Sequence, residues 1–166
     1  NDYILLTLHR QENVDDRERL NGILEGLKLL YQELNLPIIY PVHPRTEKML
    51  KTFNLDVPEG LTIIPPVSFL DFLNLEKNAR LILTDSGGVQ EEACILKVPC
   101  VTLRYNTERP ETIKVGGNIL SGTDPTKIVE CGKKMLSIAR DWENPFGDGQ
   151  AAEEIMRVLS ANLKQE

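Results

Sequence analysis

The chain has 166 residues, a formal net charge of −6 and 41% hydrophobic residues. That length fits one domain with a sizeable core. An acidic balance without a basic stripe argues against a nucleic-acid surface, and no apolar run approaches the ~20 residues of a membrane span. The three cysteines, Cys94, Cys100 and Cys131, are odd in number and lack CxxC spacing. Reduced, mostly buried thiols in a cytoplasmic protein are expected, with no zinc site and no disulfide framework.

The chain opens at Asn1-Asp2 with no Met and no signal-like segment, and strand character begins at Tyr3. That start is expected of a piece of a longer protein. Tyr3 to Leu8 is predicted as the first strand. Asp15 to Leu34 is predicted as a long helix, because Leu20, Ile23, Leu24, Leu27, Tyr31 and Leu34 keep the three-and-four spacing of a buried face. Asp15, with Glu18 three residues later, resembles a capping box. Pro37 stops the helix and opens the second strand, Ile38 to Val42.

A short helix over Glu47 to Phe53 and a Pro58-Glu59-Gly60 connection lead to a third strand, Leu61 to Ile64. Ser68 caps a helix through Asn78, and Ala79 to Thr84 is the fourth strand. A helix follows to about Lys97, then strands over Cys100 to Leu103 and Asn118 to Leu120. Asp124-Pro125 has the cap-then-proline order of a helix start, here running to about Arg140. A Trp142–Gly149 connection precedes a last helix, Ala151 to Leu163. Strands alternating with helices imply an α/β fold, a doubly wound, Rossmann-like parallel sheet of about six strands with right-handed crossovers.

Thr84-Asp85-Ser86-Gly87-Gly88 turns the fourth strand into the next helix. Ser86 offers a hydroxyl, Gly87 and Gly88 let a ligand approach the backbone, and first-turn N–H groups favour an anion such as a diphosphate. Glu92, six residues on, is placed to take two ribose hydroxyls. The same string also reads as an ordinary strand-to-helix corner, with Asp85 or Ser86 as N-cap. It has neither GxGxxG spacing nor a P-loop lysine.

Ligands of doubly wound sheets collect beyond the carboxyl ends of the strands. His9 and Arg10, His43 and Arg45, Ser86 to Gly88, and Arg104 to Arg109 all follow strands. Singly, each has an ordinary explanation: a solvated ion pair for Arg10, a turn for His43, a helix start at Arg109-Pro110. Together, cations and a helix N-terminus along one edge imply a polyanionic small ligand.

The strings Leu-His-Arg-Gln-Glu-Asn-Val (8–14), Tyr-Pro-Val-His-Pro (40–44), Thr-Asp-Ser-Gly-Gly-Val-Gln-Glu-Glu-Ala (84–93) and Thr-Glu-Arg-Pro-Glu-Thr (107–112) resemble the UDP-N-acetylglucosamine 2-epimerase family, in its non-hydrolysing bacterial and archaeal type. The resemblance spans the chain, residues 1–166, but only the C-terminal half of the family's protein. It implies one half of a GT-B type two-domain fold, with the N-terminal domain outside this chain, and a homodimer at full length. The implied reaction interconverts UDP-GlcNAc and UDP-ManNAc for surface polysaccharides, without metal or redox cofactor. By the same resemblance, His9 is catalytic. Ser86, Gly87 and Gly88 hold the diphosphate, Glu92 the ribose, Arg109 lies near the nucleotide or leaving phosphate, and Phe72 is a candidate packing partner for the uracil. Arg10 and His43 match positions that contact a second, regulatory UDP-sugar. The family's catalytic carboxylates lie in the other half, so the isolated chain is expected to be inactive.

Overall fold

The computed structural model describes residues 2–163. Six parallel strands form one sheet: β1 (Ile4–Thr7), β2 (Ile38–Pro41), β3 (Leu61–Ile64), β4 (Leu81–Thr84), β5 (Cys100–Thr102) and β6 (Asn118–Leu120), in the spatial order β3-β2-β1-β4-β5-β6. The helices are α1 (Gln11–Val14), α2 (Arg17–Leu34), α3 (Pro44–Thr52), α4 (Phe69–Asn78), α5 (Gly87–Ile95), α6 (Pro110–Lys114), α7 (Pro125–Leu136) and α8 (Ala151–Leu163). The fold class is the doubly wound α/β sheet the alternation implied.

Burial explains the strand sequences. β1, β4 and β5 are buried at every position and read as continuous runs, as central parallel strands covered on both faces should. On one face α2, α3 and α7 pack Leu20, Ile23, Leu27, Leu50, Ile128 and Met135 against Ile4, Leu6, Leu81 and Leu83. On the other, Phe72 and Leu75 of α4 and Val89 and Ala93 of α5 pack against Tyr3, Leu5, Ile82 and Cys100. Cys94, Cys100 and Cys131 are all free and buried.

Two glycines set the spacing of α2 and α7. A Cβ on Gly26 would stand 2.7 Å from Ile128 Cδ1, and one on Gly132 would stand 2.8 Å from Leu30 Cδ1. Gly26→Val should therefore force the helices apart and cost about 1–3 kcal/mol. A urea midpoint equal to that of the parent would contradict this packing account.

Some boundaries differ from the sequence reading. The N-cap of α2 is Asp16, whose carboxylate accepts from the Glu18 and Arg19 amides, while Asp15 ends the preceding turn and pairs with Arg45. α3 starts three residues early because His43 caps it and Pro44 takes the first helical position. α7 stops at Leu136 rather than near Arg140, its last turn closing from Ser137 N–H to the Lys134 carbonyl. The one-turn helix α1 was not anticipated at all. Ser68 and Asp124 do cap α4 and α7 through their side chains.

A candidate functional site beside the β1/β4 switch point

The chain leaves β1 toward β2 on one side and returns to β4 on the other, so a crevice opens beyond the carboxyl ends of β1 and β4. Both loops that border it carry predicted site residues. Thr7 and Thr84 end the two strands with their hydroxyls 2.5 Å apart. The Leu8 carbonyl then accepts from the buried Tyr40 hydroxyl and Thr46 hydroxyl, each at 2.6 Å. Burial pushes the Tyr40 phenol pKa up, so it stays a donor.

Asp85 ties the two loops together. Its carboxylate is 0% exposed and accepts from the backbone amide of His9 (3.1 Å to each oxygen), that of Arg10 (2.8 Å) and Asn13 Nδ2 (3.3 Å). The His9 imidazole Nε2 lies 3.9 Å from Asp85 Oδ1. Asn13 also donates to the Leu103 carbonyl at 2.9 Å, adding the end of β5 to the same knot. Burial raises the Asp85 pKa, and the Arg10 and His9 amides work against that rise. Asp85 entered the sequence reading only as a possible cap. Its position straight after an apolar strand was the available signal, but its partners lie 72 to 76 residues away.

His9, His43 and Phe72 share one hollow of about 250 Å³, walled also by Val42, Pro66 and Val89. The two imidazoles lie 5.8 Å apart between ring centroids. His43 Nδ1 accepts from the Arg45 amide at 3.2 Å, which leaves its Nε2 as the N–H side. Val89 belongs to the first turn of α5, so the hollow borders that helix N-terminus. There Ser86 is the N-cap by backbone, yet its hydroxyl makes no capping bond, and the first turn carries no acidic side chain. Gly88 is exposed, and a Cβ built on it meets only Ser86 Oγ, at 4.0 Å. The hollow thus reaches α5 at Val89, one residue from the open Gly88, at a helix start whose amides suit an anion.

Arg10 and Arg109 stand apart from the hollow. Arg10 turns toward Glu108, at 3.7 Å, and donates from Nε to the Asp85 carbonyl at 3.3 Å. A Cβ on Gly87 would lie 3.9 Å from Arg10 Nη2 and 3.7 Å from Glu108 Oε2. Arg109 pairs with Glu91 of α5 and donates to the Glu108 carbonyl. Its loop is held against α5 by Thr107, which donates to Gln90 Oε1 at 2.5 Å and accepts from the Arg109 amide at 2.9 Å. His43 and Arg10, paired in the sequence reading, do not meet in one hollow. Glu92 is half-buried on α5, near the buried Glu76 of α4.

The charge argument needs correction. The arginines of this rim are already matched: Arg10 with Glu108, Arg104 with Glu12 and Glu108, Arg109 with Glu91, Arg45 with Asp15. The Arg104 hydrogen bond holds the Glu108 carboxyl down at about 2. Self-repulsion among cations therefore does not demand an anion. What favours one is the uncapped, glycine-lined start of α5.

A family model described as UDP-N-acetylglucosamine 2-epimerase matches residues 1–160. A UDP-GlcNAc 2-epimerase from Methanocaldococcus jannaschii, solved in complex with UDP-GlcNAc and UDP, is 56% identical with a TM-score of 0.90, over 97% of this chain and 46% of its own. A UDP-N-acetylglucosamine 2-epimerase from Methanococcus maripaludis is 51% identical over 98% of this chain and 45% of its own length. A heptosyltransferase from E. coli shares the fold alone, at 13% identity and a TM-score of 0.54 over 81% of this chain and 42% of its own. The chain spans less than half the length of the curated relatives it matches.

Proposed function

Because the chain belongs to the UDP-N-acetylglucosamine 2-epimerase family, we propose that it is the UDP-binding half of an enzyme interconverting UDP-GlcNAc and UDP-ManNAc. The observation that carries this reading is the Asp85 knot, which sets His9 beside the uncapped start of α5 on the crevice between β1 and β4. Residues 1–166 form one Rossmann-like half of a GT-B type fold, and the other half closes over the same crevice. The enzyme works in the cytoplasm as a homodimer, feeding polysaccharide synthesis.

The chemistry asks for this arrangement. The C2–H of the sugar is not next to a carbonyl, so a base alone does not remove it cheaply. The C1–O bond breaks with its electron pair leaving on UDP, while the C2 proton passes to a base in the other half, giving 2-acetamidoglucal. UDP then adds back after a proton has returned to the opposite face of C2. Stabilising charge on the departing phosphate is the large term for this half. Ser86, Gly87 and Gly88 supply hydroxyl and amide donors there. His9 donates toward the leaving group, Arg109 answers phosphate charge, Phe72 packs on the uracil, and Glu92 takes the ribose hydroxyls. Arg10 and His43 serve a second UDP-sugar in regulation.

The test uses UDP-GlcNAc in D2O with the full-length protein. Deuterium at C2 and a mixture of the two epimers are expected, with no turnover by the isolated chain. His9→Asn should lower turnover by about 10²–10⁴-fold, the usual reach of one acid–base group. Unchanged turnover in that variant would remove His9 from the chemistry. Release of free UDP and ManNAc in place of UDP-ManNAc would assign the hydrolysing reaction instead.

A further inference from the structure

Gln90 closes the first turn of α5 with its side chain completely buried. Its Nε2 donates to the Ser86 carbonyl at 3.2 Å, the carbonyl that its own backbone N–H also reaches, at 3.2 Å. A carbonyl only accepts, so Ser86 decides which end of the amide faces it. The other end, Oε1, must then accept. It does so twice, from the Thr107 hydroxyl at 2.5 Å and from Asn118 Nδ2 at 3.2 Å. Thr107 has spent its hydrogen there, and its oxygen accepts the Arg109 N–H at 2.9 Å. Asn118 Nδ2 also donates to Thr112 Oγ1 at 3.0 Å, and the Thr112 hydroxyl donates onward to the Arg109 carbonyl at 2.7 Å. From β5, the Thr102 hydroxyl holds Asn118 Oδ1 at 2.9 Å. Thr102, Thr112 and Asn118 are buried as well. A donor direction set at the N-cap of α5 thus passes through one amide to both backbone groups of Arg109. Buried networks satisfied at each step are rigid.

We propose that Gln90 is a positioning residue that locks the Arg109 backbone to the N-cap of α5. The guanidinium then meets a phosphate held by Ser86, Gly87 and Gly88 with only its own side-chain torsions left to settle. The proposal rests on the assignment of Arg109 to the phosphate. Gln90 is buried beneath the site, so it acts through Arg109 and not on the ligand. Arg109 needs such a hold, because its φ of −126° and ψ of 59° belong to neither helix nor strand. Its side chain lies half-buried against Glu91 of α5. A rim pair of that kind is weak enough to be exchanged for a phosphate, while the backbone stays bonded at both N–H and C=O. A cation carried on a fixed backbone loses less freedom on binding than one carried on a loose loop.

The readout is the ratio of the Kd values for uridine and UDP, measured by calorimetry on the full-length protein, because uridine lacks the phosphates. Arg109→Ala should lower this ratio about tenfold, the worth of one charge-assisted bond. Gln90→Met, which fills the space without an amide, should lower it about fivefold, and by less than about twofold on the Arg109→Ala background. A purely structural loss would recur in full on that background and overturn the proposal. Thr107→Val removes only the link to the Arg109 N–H and should lower the ratio about threefold, while Thr107→Ser, which keeps the hydroxyl, should stay within about twofold of the parent. Full discrimination in Gln90→Met and Thr107→Val, alongside loss in Arg109→Ala, would overturn the positioning role and leave the phosphate assignment standing. Full discrimination in Arg109→Ala would remove that assignment and the proposal with it. A parent that binds uridine as tightly as UDP would remove the phosphate site itself. If Gln90→Met fails to fold, equal ratios in Thr107→Val and Thr107→Ser overturn the proposal by themselves.

Discussion

Asp85→Ala should cost on the order of 3–5 kcal/mol of stability, the largest loss expected of any single change in this chain. The carboxylate is completely buried and accepts from two backbone amides and one side-chain amide. Alanine would leave the His9 and Arg10 amides without an acceptor in a place closed to water, at about 1–3 kcal/mol each before relaxation, while Asn13 would keep only its bond to the Leu103 carbonyl. Asp85→Asn tests the same point differently. It keeps the shape but points an NH2 group at N–H donors, so it should recover only part of the loss. In the full-length enzyme both variants should also release the His9 loop and reduce turnover beyond what instability explains. Urea unfolding of the isolated chain reads the first effect and deuterium incorporation reads the second. An Asp85→Ala chain within 1 kcal/mol of its parent would mean that the loop is held by the Leu8 carbonyl bonds alone.

The second large effect has the opposite sign. Glu76→Gln should stabilise the protein, increasingly so as pH rises. Burial first, and the Glu92 carboxylate second, lift Glu76 to a pKa of about 8 in the fold against an ordinary value of 4.5. A raised pKa contributes stability that is fully present below about pH 4.5 and lost progressively as pH climbs through 8. At pH 8 the folded parent carries a penalty of roughly 3 kcal/mol, allowing for the charge shared with Glu92. Glutamine is neutral at every pH and escapes it. The difference in Tm between variant and parent should be near zero at pH 4.5 and grow to several degrees by pH 8. A difference independent of pH would show that Glu76 is not the titrating group. A variant less stable at pH 8 would show that its charge is compensated.

Periodicity made most of the scaffold legible. The buried stripe of α2, the unbroken apolar strands β1, β4 and β5, and the caps Ser68 and Asp124 are local signals, each readable within about one helical turn. The candidate site was legible only where residue type and strand-end position coincided, as for His9, Ser86 and the two glycines. Asp85 and Asn13 act through partners far along the chain, and no local pattern carries that pairing. The rim of arginines was misread for a related reason. Glu12, Glu91 and Glu108 are close to their arginines in space, but as sequence they look like solvated helix charges. Glu76 did leave a trace: its four-residue spacing from Phe72 puts a carboxyl on an apolar stripe, a local inconsistency legible without the fold.

The Asp85 knot also bears on how the chain acquires its crevice during synthesis. His9 and Arg10 are made before the carboxylate that arrests their amides, which follows some 75 residues later, straight after β4. A ribosome-bound chain that ends at β3 therefore has Tyr40 and Thr46 to hold the Leu8 carbonyl, but no acceptor for the His9 and Arg10 amides. Because β4 must slot in beside β1, between that strand and β5, the pocket matures only when a long-range parallel pairing closes, a slow class of event. Nucleotide capture by stalled nascent chains should thus switch on abruptly once α5 has cleared the exit tunnel.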